Sequence, residues 1–294
     1  MSDAIRPRRS VLYMPGSNAR ALEKARTLDT DAVILDLEDA VAPDAKDLAR
    51  TQVCDAVKAG GFGPREVVIR INSLASPYGL ADLEAAAMAA PDAILVPKVS
   101  SAEDLADVET RLAALGADPK IAIWAMIETP RAILDIRAIA DAGRSVAPRL
   151  ACFIMGTNDL AKETGARLVP GRAPMLAFLS LSVAAARMAG IAVVDGVYNS
   201  LDNAEGFAAE CLEGRDLGMD GKTLIHPKQL DDANRIFAPD PAEVDAAQAI
   251  IDAFALPENA SLGAISLNGR MVERLHAEIA EKVVALANAI KARG

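Results

Sequence analysis

Eight short runs rich in Val and Ile punctuate the chain: SVLYMPG, DAVILDLEDAV, EVVIRINS, AILVPKV, IAIWAMIET, LACFIMGTNDL, IAVVDGVY and KTLIHPKQ. Between them lie Ala- and Leu-rich segments such as ARALEKARTL and SSAEDLADVETRLAAL, with apolar residues three and four apart. That is the period of one helix face. SSAED sets a Ser ahead of early carboxylates, a helix start. Eight β–α repeats predict a closed parallel (β/α)8 (TIM) barrel of the α/β class. An open doubly wound sheet is the alternative, but no Gly-rich dinucleotide fingerprint follows the first run. The barrel is expected over residues 1–237. Residues 238–294 are expected to form an extra helical lid or oligomerisation segment: the helix PAEVDAAQAIIDAFAL, a polar link ENASLGAISLNG, and the amphipathic helix MVERLHAEIAEKVVALANAIKA.

Composition narrows the partners. With 52% hydrophobic but only 3% aromatic residues, the core must be built from Ala, Val, Leu and Ile, which suits helices packed around buried strands. A net charge of −10 argues against nucleic acid and against an anionic membrane surface. No apolar run approaches the ~18 residues of a transmembrane helix, and MSDAIRPRRS lacks the apolar core of a signal peptide. Cys54, Cys152 and Cys211 are odd in number, far apart and in apolar settings. They read as reduced core thiols of a cytoplasmic protein.

Each apolar run ends in a polar or charged residue: Tyr13, Asp36 with Glu38, Arg70, Lys98, Glu128, Asn158 with Asp159, Asp195 and His226. In a parallel barrel those ends converge on one mouth, where this fold places its active site. Turns are polar in any protein, but Arg, Lys and Glu directly after buried strand residues are costly unless paired or functional.

The chain has two histidines, so a His-rich zinc site is not expected. Glu128 and Asp159 end neighbouring strands about 4.8 Å apart and can converge on one cation. Two carboxylates completed by water and substrate oxygens suit Mg²⁺, or Mn²⁺; the plainer reading is that they pair with Arg70 or Lys98. Asp36, Glu38 and Asp39 form a second acidic cluster, which either holds metal-bound waters or caps the next helix. Arg6, Arg8, Arg9, Arg20 and Lys24 crowd the first β–α unit. A phosphate-rich ligand or a solvated arm accounts for that bias equally well. No Walker-type loop is present.

The segments RPRRSVLYMPGSNARALEKA, AVILDLEDAVAP, VVIRIN, ILVPKVSS, MIETPRA, GTNDLA and IHPKQL resemble the CitE-like branch of the HpcH/HpaI aldolase superfamily. That branch comprises citrate lyase β subunits, citramalyl-CoA and malyl-CoA lyases and malyl-CoA thioesterases. The resemblance runs over almost the whole chain in order and spacing. It implies a barrel enzyme with Mg²⁺ on Glu128 and Asp159. It further implies an oxygen of the keto acid or thioester on Arg70, and the CoA ester against Tyr13, Lys24, Ile225 and His226. Backbone groups of Asn158 and Asp159 are implied to grip the acid's carboxylate.

The chain departs from that pattern at two places. The family's GxMID or GxMVD segment, whose Asp is the general acid/base delivered from an adjacent subunit, reads GRMVERL here, so Glu273 takes its position. Position 18, Arg in malyl-CoA lyases, is Asn18. A Glu can transfer the same proton, its ordinary pKa being close to that of Asp.

The reading is therefore a Mg²⁺-dependent acyl-CoA lyase. It would cleave malyl-CoA or citramalyl-CoA into acetyl-CoA and a 2-oxo acid, glyoxylate or pyruvate, with Arg70, Glu273, Asp36 and Glu38 as catalytic candidates. The alternatives are a (3S)-malyl-CoA thioesterase and a non-catalytic CoA- or acyl-carrier-binding subunit. A homo-oligomer, trimer or hexamer, is expected. Side chains near Asn158, Leu160 and Asp195 are expected to select the acyl group.

Overall fold

The computed structural model describes residues 5–259 and 261–293. They form two compact units, one from Arg8 to Asn234 and one that comprises residues 235–293 with the stretch before Arg8.

The first unit is a closed barrel of eight parallel strands in sequential order. They are β1 (Ser10–Pro15), β2 (Ala32–Asp36), β3 (Glu66–Arg70), β4 (Ala93–Val96), β5 (Ala122–Ile127), β6 (Leu150–Met155), β7 (Ala192–Asp195) and β8 (Gly221–Leu224). Pairing of Val11 with both Ala32 and Thr223 closes the ring. Helices follow the strands: α1 (Ala19–Ala25), α2 (Lys46–Ala59), α3 (Gly79–Ala89), α4 (Ala102–Ala114), α5 (Pro130–Leu134), α6 (Ile136–Ala142), α7 (Thr157–Thr164), α8 (Leu176–Ala189), α9 (Ala204–Asp216) and α10 (Leu230–Ile236). The sequence's start signal at SSAED is a capping box: the Ser101 hydroxyl accepts from the Asp104 amide, and the Asp104 carboxylate accepts from Ser101 N at 2.9 Å. Asn18 caps α1 by accepting from Ala21 N at 3.1 Å. It starts the helix that carries Arg20 and Lys24.

Alternate strand residues, among them Val11, Ile34, Val68, Leu95, Trp124 and Ile154, fill the barrel interior. Burying each such side chain contributes on the order of 1.5–3 kcal/mol. Arg8 enters this interior with its guanidinium 5.0 Å from the Trp124 ring and is clamped by Glu66 at 2.7 and 2.8 Å. Arg9 is pinned to Asp31 at 2.8 and 2.9 Å. These two arginines, counted above as phosphate candidates or a solvated arm, are held in structural ion pairs, Arg9 buried and Arg8 partly buried. Arg20 and Lys24 lie exposed on α1. The three cysteines are buried and free.

In the second unit α11 (Pro241–Ala255) precedes an antiparallel hairpin of β9 (Ala264–Leu267) and β10 (Arg270–Glu273), then α12 (Arg274–Lys291). The second half of the segment read above as a polar link, from Ala264, is thus the first strand and turn of a hairpin, and α12 starts at Arg274 rather than Met271. Asn268 and Gly269 have φ of 50° and 76°, the left-handed pair that a two-residue hairpin turn requires. Phe254, Ile265, Val272 and Ala277 form this unit's small core, with the Arg274 guanidinium 4.6 Å from the Phe254 ring. No helix among the described residues is long and apolar enough to cross a membrane.

Candidate active site

The strand registers set the site. Asp36 lies opposite Arg70 across β2 and β3, and Ile127 opposite Met155 across β5 and β6. Glu128 and the Gly156–Asp159 segment therefore leave the barrel side by side. A cavity of about 300 Å³ opens over these strand ends, lined by Tyr13, Arg70, Met126, Met155, Asn158 and Asp159, among others.

One wall is built around Arg70, which is 5% exposed. Its Nε and Nη2 each donate to Asp36 at 2.6 Å. Nη1 meets Glu38 at 2.8 Å and Asp39 at 3.3 Å. The guanidinium lies 4.8 Å over the Tyr13 ring, whose buried hydroxyl has no hydrogen-bond partner among the described residues. Both Asp36 oxygens are taken, since they also accept from Glu38 N at 2.9 Å and Ala40 N at 3.0 Å. Asp36, fully buried, is thus a clamp that orients Arg70 and the loop after β2, and it has no free oxygen for proton transfer. Glu38 differs: burial pushes its carboxyl up to about 8, with Arg70 opposing.

The loop after β2 is itself held. Lys46, buried at the start of α2, donates to Leu37 O, Glu38 O and Asn72 Oδ1 at 2.8, 2.7 and 2.8 Å. The sequence reading missed this residue, because a lysine in a helix-forming segment looks like a solvated charge.

The opposite wall carries the carboxylate pair. Asp159 sits in the first turn of α7, where helix geometry leaves the amides of residues 157–159 without intrahelical acceptors. Glu128 is 1% exposed. It accepts from Lys98 N at 2.7 Å, and the Lys98 ammonium lies 3.7 Å from it while contacting Asp159 directly. The plainer expectation of a lysine pairing is therefore met, and it shows a cation seated against both carboxylates. Burial raises the Glu128 carboxyl, with Lys98 opposing. Burial works against the Lys98 charge, but Asp159 and Glu128 more than offset it and its pKa is raised. Gly156 is required here. A Cβ at that position would lie 2.3 Å from Glu128 Cβ and 2.8 Å from its Oε2, displacing the carboxylate.

The remaining sequence candidates separate. Ile225, 40% exposed, lines the cavity. His226 does not line it; its Nδ1 accepts from Lys228 N at 3.1 Å and caps a 3-10 turn. Lys24 lies outside the cavity on α1. Asp195 and Leu160, expected to help select the acyl group, are fully buried and off the cavity. Asp195 instead anchors an ion cluster. It accepts from Arg172 Nη1 at 2.7 and 2.8 Å and from Lys222 Nζ at 3.0 Å. Burial raises its pKa, but the two cations more than compensate and hold it below the ordinary value. Glu273 belongs to the C-terminal unit, where its amide donates to His276 Nδ1 at 2.9 Å at the head of α12. Among the described residues no three His, Cys, Asp or Glu side chains gather as a metal site. Glu128 and Asp159, which share the Lys98 ammonium, are two carboxylates that could together hold a cation.

Residues 9–227 match the model of the HpcH/HpaI aldolase/citrate lyase family. The chain belongs to that family. It is 48% identical over 292 residues to a (3S)-malyl-CoA thioesterase of Cereibacter sphaeroides, covering 99% of both chains. It is 35% identical to the citrate lyase subunit beta of Escherichia coli, covering 91% of this chain and 89% of that one. Among solved structures, CitE from Mycobacterium tuberculosis in complex with magnesium, acetoacetate and coenzyme A superposes with a TM-score of 0.77. That match is at 26% identity over 97% of this chain and 99% of the other. The family's members named here are enzymes, and the barrel and the strand-end placement of charged residues agree with that membership.

Proposed function

We propose that this chain is a divalent-metal-dependent hydrolase of a 3-hydroxyacyl-CoA thioester, with (3S)-malyl-CoA as its substrate type. The carrying observation is one cavity with a clamped guanidinium on one wall and Asp159, backed by Glu128, on the other. The 48% identity to a malyl-CoA thioesterase favours hydrolysis over the carbon–carbon cleavage that the sequence reading placed first.

The donor set fits Mg²⁺ or Mn²⁺. Asp159 lines a cavity with room for water, Glu128 stands buried behind it, and an ammonium already occupies the electrostatic niche between these two hard oxygen donors. When bound, the metal would neutralise the hydroxy-acid oxygens and fix that end of the substrate.

The chain's own groups then divide the work. The first-turn amides of residues 157–159 donate to the acid's carboxylate. Arg70 Nη1 gives up its long, exposed contact with Asp39 and donates to the thioester carbonyl oxygen, where negative charge builds as water attacks. Glu38, beside Arg70, takes the proton from that water. The new O–C bond forms, the C–S bond breaks, and the proton passes from Glu38 to the departing thiolate, giving malate and free CoA.

A second reading, lyase activity, is favoured by the citrate lyase relatives. It needs a proton donor at the enolate carbon, for which Glu273 is the candidate. Incubation with malyl-CoA and Mg²⁺ distinguishes the two by product: malate with free thiol for hydrolysis, glyoxylate with acetyl-CoA for cleavage.

A further inference from the structure

A second cavity of about 590 Å³ lies beside the first, between the loop ahead of α8 and the loop after β7. Thr157, Val197 and Asn199 line both cavities. At their junction two carboxamides face each other. Asn199 Nδ2 donates to Asn158 Oδ1 at 2.8 Å, and Asn158 Nδ2 donates back to Asn199 Oδ1 at 3.3 Å. This pair is exposed, so either amide can exchange its partner for water at little cost.

The lining of the second cavity decides what it can hold. Leu168, Val169, Pro170 and Val197 make it largely apolar. Its charged floor is self-paired: Arg172 binds Asp195, Glu210 and Glu213, and Lys222 binds Asp195 and Glu210. Two cations thus stand against three carboxylates, and the excess negative charge disfavours a second anionic group. One donor is left over. Arg172, 2% exposed, lines the cavity, and its Nη2 has no partner among the described residues. A neutral group, alkyl or ending in a hydroxyl or carbonyl oxygen, matches this lining.

We infer that the second cavity is a side pocket for the substituent on the carbinol carbon of the hydroxy acid, and that the Asn158–Asn199 pair is its gate. This rests on the proposed placement of the acid end at residues 157–159, because Thr157 is shared by both cavities. The ligand class is a 2-oxo or 2-hydroxy acid whose substituent extends beyond the hydrogen of the malyl type and the methyl of the citramalyl type and carries no second charge. A closed gate confines the enzyme to short acids; an open one admits longer acids.

The test is direct binding to the full-length chain in Mg²⁺, by calorimetry, of glyoxylate, pyruvate, 2-oxobutyrate and 2-oxopentanoate. In the wild type affinity falls beyond pyruvate. Asn199→Ala, which removes half of the gate, should raise affinity for 2-oxopentanoate relative to glyoxylate by about tenfold or more, the scale of one or two methylenes in an apolar pocket. Ala209→Trp lies on the exposed face of α9 and fills the second cavity. Combined with Asn199→Ala, it should cancel that gain. If Asn199→Ala shifts all four acids alike, or the gain survives Ala209→Trp, the side pocket is refuted while the acid site stands. If no acid binds the wild type at all, the acid site itself is wrong and the side pocket falls with it.

Discussion

Replacing Arg70 by lysine keeps a cation at the end of β3 but removes the fork. The guanidinium makes two 2.6 Å bonds to Asp36 and one of 2.8 Å to Glu38, all from a group 5% exposed. A single ammonium can meet Asp36 or Glu38, not both Asp36 oxygens in plane as well as Glu38. Hydrogen bonds to charged groups contribute about 1.5–3 kcal/mol each. The contact with Asp39, whose side chain is 72% exposed, adds little. Losing one or two of the buried bonds while the charge is kept should cost roughly 2–4 kcal/mol of stability. That lowers Tm by about 3–6 °C in a chain of this size. The catalytic effect is larger, because the donor to the thioester oxygen is misplaced: about 10²–10³-fold in kcat. The assay is release of free thiol from malyl-CoA at saturating Mg²⁺, with circular dichroism as the control for folding. A folded Arg70→Lys enzyme with kcat within about twofold of wild type would show Arg70 to be only the partner of Asp36, and the oxyanion role would be wrong.

Further outcomes are expected. Chelation should abolish turnover, and Asp159→Ala should lower Mn²⁺ affinity and kcat together; full activity in chelator would contradict the carboxylate site. Glu38 works as a base only when ionised, so kcat/KM should climb as pH rises toward about 8 and then level, whereas Glu38→Gln should be slow and flat. The folded state holds the Glu38 proton more tightly than the unfolded chain, from the ordinary 4.5 up to about 8. The wild type should therefore lose stability relative to Glu38→Gln as pH rises through that window, and parallel denaturation curves at pH 5 and pH 9 would contradict the assignment. Glu273→Gln should leave thiol release unchanged if hydrolysis is the reaction and abolish keto-acid release if cleavage is. Light scattering should find a homo-oligomer, and full activity from a dilute monomer would count against a site completed by a neighbour.

The barrel was readable because its signal is local and repeated. Val-Ile runs ending in Asp36, Arg70, Glu128 and Asp159 alternate with helix-period segments, and a closed parallel sheet is the arrangement that brings those ends together. What escaped the reading depends on partners far apart in sequence. Asp195 ends a strand just as Glu128 does, yet it is neutralised by Arg172 and Lys222, from 23 residues upstream and 27 downstream. Lys222 within the apolar setting of β8 was the available hint, since a buried lysine needs a carboxylate partner. Arg8 and Arg9 looked like a phosphate-binding or solvated basic arm because their partners, Glu66 at the start of β3 and Asp31 just ahead of β2, are distant in sequence. The hairpin of the C-terminal unit did carry a local signal, Asn268–Gly269 between short alternating runs. The surrounding Ser and Gly residues made it resemble a linker.

Product analysis tests the central claim most directly. Purified protein, (3S)-malyl-CoA and Mg²⁺ are incubated, and malate, free CoA, glyoxylate and acetyl-CoA are quantified together. The account predicts malate and free CoA in equal amounts, lost on chelation. Equal amounts of glyoxylate and acetyl-CoA without malate would contradict it and establish carbon–carbon cleavage instead.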